Sequence, residues 1–333
     1  MRHVLASILA FLVALPLVVG AGCSQQGARP AKTGLRVVTT TAMIADAARN
    51  VAGSHADVIA LMGQGVDPHV YKASPGDVRT LESADLILYN GLHLEGRMAD
   101  TLAQLGKRRR SVAVGESIPS NLLRSPPEFQ GQHDPHVWFD PSLWKFVVER
   151  VRDSLIEADP AHADEYRANA AKYAGELDSL FSWTKEQIGT IPENGRVLVT
   201  AHDAFGYFGR AFGLEVLGIQ GISTDSETSL DTVRSLVTLL ADRQIPAVFV
   251  ESSVPRKSIE ALIEGSKARG HTLLIGGELF SDAMGPSGTP EGTYLGMVRH
   301  NVVTIVKALG GTVTDSTNDA PANASSGASK GTP

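Results

Sequence analysis

The tripeptide Asp-Pro-His occurs twice in this chain, at Asp67-Pro68-His69 and at Asp134-Pro135-His136. Each copy presents an imidazole in the same local frame. Proline fixes the backbone just ahead of the histidine, and the aspartate is placed to accept a hydrogen bond from it. Two more groups of this kind lie further on. His202 sits in Thr200-Ala201-His202-Asp203-Ala204-Phe205, and Asp282 in Phe280-Ser281-Asp282-Ala283. All four follow stretches that read as β-strands, and in a parallel α/β sheet ligands bind outside the carboxyl ends of the strands. Two imidazoles from the first half of the chain, with an imidazole and a carboxylate from the second, would make a four-ligand site across a cleft. That set suits zinc and is acceptable to other first-row divalent ions. A lone loop histidine is ordinarily a surface group; the repeated tripeptide argues for more.

The elements that must position these groups alternate in type. β-Branched runs predict strands at 36–41, 57–62, 85–89 and 112–114, and again at 196–200, 215–219, 247–251 and 272–275. Helical spacing predicts helices at 43–52, 75–83, 95–105 and 141–157, then at 204–212, 230–242, 258–269 and 293–309. Between the two sets lies one long helix. Asp159 reads as its N-cap, Pro160 as its first residue, and Pro192 closes it. Tyr166, Ala170, Tyr173, Leu177, Phe181, Thr184 and Ile188 form its apolar stripe. It would be a rod of roughly 45 Å. The expected fold is α/β: two lobes, each with a mainly parallel sheet flanked by helices, joined by one long backbone helix. The segments are a signal peptide at 1–22, a tether at 23–34, an N-terminal lobe at 35–158, the helix at 159–192, a C-terminal lobe at 193–309 and a disordered tail at 310–333.

Composition narrows the function classes. The 333 residues are 43% hydrophobic and 20% charged, enough for large cores, and the net charge of −6 gives no electrostatic case for nucleic acid. Arg2 and His3 precede an apolar run from Val4 to Val19, interrupted at Pro16, and then Gly20-Ala21-Gly22-Cys23. The run is short for a membrane span and reads as an export signal. It resembles a bacterial lipoprotein signal, with the single cysteine of the chain as the lipidated residue and Gly20 where an aliphatic residue is usual.

The flanking words resemble the TroA-like family, the metal-specific solute-binding proteins of bacterial zinc and manganese ABC importers. They are Val66-Asp67-Pro68-His69-Val70-Tyr71, Asn90-Gly91-Leu92-His93-Leu94-Glu95 and His133-Asp134-Pro135-His136-Val137-Trp138. His202-Asp203-Ala204-Phe205-Gly206-Tyr207-Phe208, Val250-Glu251-Ser252-Ser253, Leu279 to Gly285 and Gly292-Thr293-Tyr294 continue them, so the likeness covers about 35–309 in order. The resemblance implies His69, His136, His202 and Asp282 as metal ligands and Zn2+ or Mn2+ as transported cargo. It also implies a membrane permease as partner, an extracytoplasmic monomer held to a membrane through Cys23, and no catalysis.

Other groups are assigned lesser parts. His93 and His133 are expected at the cleft wall or behind the ligands. Glu251 either accepts from a ligand imidazole or is solvated. Trp138, Tyr71 and Phe205 are expected to wall the site from water. His55, His162, His271 and His300 read as structural or surface. A zinc hydrolase and a surface adhesin are the competing functions. The metal is left open: 117–131 holds no histidine, unlike the His-rich loop of many zinc relatives, whereas manganese relatives often have Glu in place of His202.

Overall fold

Four strands near the N-terminus form one sheet whose inner pair is buried on both faces, as befits a covered parallel sheet. They are β1 (Leu35–Thr39), β2 (Ala56–Ala60), β3 (Leu86–Tyr89) and β4 (Arg110–Ala113), all parallel, in the order β2-β1-β3-β4. The computed structural model describes residues 34–225 and 228–314. Val37, Leu86 and Leu88 face one core, while Val38 and Ile87, one residue out of phase, face another. The smaller core is closed by α2 (Pro75–Glu82) and α3 (Ala99–Gly106) through Leu81 and Leu102. The larger holds α1 (Ala42–Ala52) and α4 (Pro141–Ala158).

Helix starts follow local chemistry. Ser74 and Asp77 form a reciprocal capping box around Pro75. The Asp140 side chain accepts from the Ser142 N–H ahead of α4, whose first residue is Pro141. The long helix differs from expectation at its start. α5 runs Ala163–Gly189, about 40 Å, preceded by a separate 3-10 turn at Pro160–His162. Asp159 therefore does not cap it. Its carboxylate is taken instead by the Tyr166 hydroxyl at 2.7 Å and His162 Nδ1 at 2.6 Å. The buried stripe is Tyr166, Ala170, Tyr173, Leu177, Leu180, Thr184, Gln187 and Ile188, with Phe181 only partly covered.

Past α5 come β5 (Val197–His202), α6 (Gly206–Phe212), β6 (Glu215–Gln220), α7 (Leu230–Asp242), β7 (Ala247–Glu251), α8 (Lys257–Ala268), β8 (Leu274–Leu279) and α9 (Tyr294–Ala308). The strands form two parallel pairs, β5-β6 and β7-β8, with β5 lying beside β7, rather than one unbroken ladder. Their alternation repeats that of the first sheet. Leu198 and Phe249 face the large core; Val197, Val199, Val248 and Val250 face a third core with α7 and α8. The large core thus takes side chains from both halves of the chain and from α5 between them, Ile44, Val147, Leu177, Phe208 and Val302 among them.

Two other expectations change. The helix predicted at 95–105 begins later, because the chain reverses through Leu92 and His93 at φ 53° and 67° and Glu95 turns inward. Its carboxylate accepts from the Asn90 and Gly91 N–H groups and the Thr40 hydroxyl. The segment after α9 is held at its start: the Thr312 N–H donates to Thr190 Oγ1 at 3.0 Å and the Thr314 N–H to Gln187 Oε1 at 2.8 Å. The export signal, Cys23, the tether as far as residue 33 and the tail from residue 315 lie outside the described residues.

Candidate metal centre

The two Asp-Pro-His tripeptides fold alike. Asp67 Oδ1 accepts the His69 N–H at 2.9 Å, and Asp134 Oδ1 accepts the His136 N–H at 3.0 Å. Each is a local turn in which an aspartate binds the backbone two residues on. Their rings are held differently. Asp134 Oδ1 also takes His136 Nδ1, at 2.8 Å, while its second oxygen pairs with Arg124. Asp67 turns its second oxygen to the Thr224 hydroxyl at 2.6 Å instead of to a ring. His202 is the last residue of β5, not beyond it as the sequence suggested, and Glu251 ends β7. Glu251 takes both the His202 N–H at 2.9 Å and Nδ1 at 2.5 Å. A carboxylate on Nδ1 leaves Nε2 as the free donor, so His136 and His202 both aim Nε2 at the same point.

There they meet His69 and Asp282. His136 Nε2 lies 3.2 Å from His69 Nε2 and 3.4 Å from His202 Nε2. The Asp282 oxygens stand 3.2 Å from His202 Nε2, 3.4 Å from His136 Nε2 and 3.9 Å from His69 Nε2. One donor atom from each of the four residues falls within 4.8 Å of all the others. A tetrahedral zinc site with bonds near 2.0–2.1 Å needs donors about 3.3 Å apart. The set fits such an ion, and an observation independent of the spacing agrees. Apart from the three imidazoles, nothing among the described residues hydrogen-bonds either buried oxygen of Asp282. Buried carboxylates are paired or bind metal, because desolvation is otherwise uncompensated.

Electrostatics point the same way. Burial holds His69 at about 3, so its ring is neutral. Burial also works against charge on His136, but Asp134 and Asp282 reverse this and raise it to about 9. Glu251 and Asp282 likewise outweigh burial at His202 and push it well above the usual histidine value. The two imidazolium neighbours hold Asp282 well below the ordinary carboxylate range in spite of its own burial. The centre thus favours positive charge in a place closed to water: exposure is 4% at His69, 2% at Asp282 and 0% at His136 and His202.

The structure therefore brings His69, His136, His202 and Asp282 together and puts Glu251 against the His202 ring rather than in solvent. His93 and His133 are not at the centre. His93 is exposed, His133 Nδ1 bonds the Ser125 hydroxyl at 2.7 Å, and both line a surface depression with Glu116 and Gln132. The Trp138 ring meets His136 edge-on at 5.2 Å, and Phe205 stacks on Phe139 at 4.1 Å. Tyr71 bonds Asp77 and packs on the small core. Arg124, which pairs with Asp134, was not singled out from the sequence. The signal was present in Gly206, which opens α6: a β-carbon there would lie 1.3 Å from Arg124 Nη1.

A family model described as zinc-uptake complex component A, periplasmic (ZnuA) matches residues 37–308. The chain belongs to the ZnuA family. Its relatives include the manganese-binding lipoprotein MntA of Bacillus subtilis, 52% identical over 301 residues, covering 90% of this chain and 97% of that one. The zinc-binding protein TroA of Treponema pallidum is 51% identical over 273 residues, covering 82% and 88%. The solved structure of the periplasmic zinc-binding TroA superposes with a TM-score of 0.81 at 50% identity, covering 83% of this chain and 99% of that one. This ZnuA-family chain therefore has the mixed α/β fold with parallel sheets and a long helix that its sequence predicts.

Proposed function

We propose that the chain captures a divalent first-row metal ion through His69, His136, His202 and Asp282 and delivers it to the membrane permease of an ABC importer. The observation that carries this reading is the buried Asp282 carboxylate, bonded by nothing outside the centre, facing three convergent imidazole nitrogens. Family membership supports the transport role. Relatives of nearly equal identity are named for manganese and for zinc, so identity does not choose the metal. From donor chemistry, three imidazoles and one carboxylate are expected to bind zinc more tightly than manganese in vitro, with manganese also admitted. Hydrolysis is disfavoured. A catalytic zinc keeps a position open for water beside a general base, whereas here four protein donors converge and Asp134 and Glu251 are occupied by ligand rings. We place the mature protein outside the cytoplasm as a monomer, anchored through lipidated Cys23; MntA, a relative, is named a lipoprotein.

His136→Ala tests the site. The substitution leaves the Asp134–Arg124 pair and the strands intact. Calorimetric titration with zinc should show affinity lower by more than about a hundredfold, the upper end of what losing an outer partner costs. The metal-free variant should melt as the parent does. Unchanged affinity removes His136 from the ligand set.

A further inference from the structure

His136 and His202 have carboxylates gripping the far side of their rings, whereas the Asp282 carboxylate meets only the imidazoles of the centre itself. No group outside the centre directs it, so the backbone that carries it must supply the rest of its placement. Within the C-terminal half, Asn301 clamps Phe280, taking its N–H at 2.9 Å and giving its side-chain N–H to the carbonyl at 2.7 Å. The next residue is held from the other half of the chain. The Trp138 indole Nε1–H donates to the Ser281 carbonyl, adjacent to Asp282, at 3.0 Å.

Trp138 is itself fixed at both ends. Its carbonyl accepts from the Tyr294 hydroxyl at 2.7 Å, it is 1% exposed, and its ring lies edge-on to His136. It follows His136 by two residues in the 3-10 turn Val137–Phe139, so it moves with that ligand. We infer that Trp138 is a positioning residue that sets the Asp282 carboxylate relative to His136 across the two halves of the chain, making one coordination sphere of ligands that are otherwise held separately. A wall against water would need only the ring. The indole N–H and its aim at Ser281 belong to positioning. The inference rests on the metal-capture reading given above.

Co2+ is the probe, because its visible absorption reports the geometry and number of its donors. Trp138→Phe keeps an aromatic ring beside His136 and deletes the N–H; Tyr294→Phe deletes the hydroxyl that holds the Trp138 carbonyl. Trp183→Phe, at a tryptophan packed under Arg299, controls for a general loss of indole. The expected result for Trp138→Phe is about tenfold weaker Co2+ binding, the scale of losing an outer partner. Its visible spectrum should also be altered, and its metal-free melt cooperative. Tyr294→Phe should change the spectrum in the same direction by less, and Trp183→Phe should match the parent. Parental affinity and spectrum in Trp138→Phe overturn the inference. If that variant does not fold, a parental spectrum in Tyr294→Phe overturns it. Failure of the parent itself to bind Co2+ instead overturns the metal-capture reading.

Discussion

Without metal, His136 at about 9 and His202 well above the usual value both carry protons near neutral pH, so an arriving dication has protons to displace. The sign follows. Protons held by the empty site and lost from the filled one make apparent affinity rise with pH until the imidazoles are neutral, and fall as pH drops. Titrations at pH 7 in buffers of different ionisation enthalpy should report roughly two protons released per metal. A release of none would mean that the rings are already neutral. Exchanging His202 for Glu should shift preference toward manganese, which favours oxygen donors, mostly through weaker zinc binding. The geometry adds a qualification: the new carboxylate would face Glu251, which now holds the ring at 2.5 Å. Pairing His202→Glu with Glu251→Gln removes that repulsion and should give the larger shift. Competition titrations with both metals check it, and a zinc-to-manganese affinity ratio that stays constant or rises would refute it.

At the scale of elements, α5 holds both halves through its buried stripe while contributing no ligand. Leu177→Ala should therefore cost about 2–5 kcal/mol of stability in denaturant unfolding, as buried leucines do, yet leave metal affinity of the folded protein within about threefold. A large loss of affinity would mean that α5 acts on the centre directly. Much of this architecture was legible. Proline at a helix start is a local signal, and the helices expected to open at residues 75 and 141 do so, capped by Ser74 and Asp140. The repeated Asp-Pro-His predicts an aspartate behind each imidazole; Asp134 holds the His136 ring, but Asp67 bonds only the His69 N–H and turns to Thr224 instead. What stayed hidden depends on contacts distant in sequence. Asp159 has the local look of a cap, but Tyr166 and His162 claim its carboxylate. Glu95 fits a helical pattern, yet is drawn inward by Thr40 and by the Asn90 and Gly91 amides. Arg124 matters only because Gly206, eighty-odd residues on, leaves room for it.

For the molecule as a whole, the large core runs from the first sheet through α5 to α9 and joins the two halves of the chain. The protein's placement in the cell depends on residues outside the described structure. Replacing Cys23 with Ala should move the protein from the membrane fraction to the soluble one on cell fractionation; an unchanged distribution would exclude the lipid anchor.

The order in which the four ligands appear along the chain has a consequence for when metal can be acquired. A nascent chain offers two imidazoles once the His136 turn is made, but His202 and Asp282 arrive only after α5, and Asp282 close to the end of the fold. A nascent chain shorter than 282 residues lacks part of this donor set. If these four residues are the ligands, tight loading requires the chain to be made and folded past Asp282, so an unfolded precursor should draw little metal from the compartment where it is made.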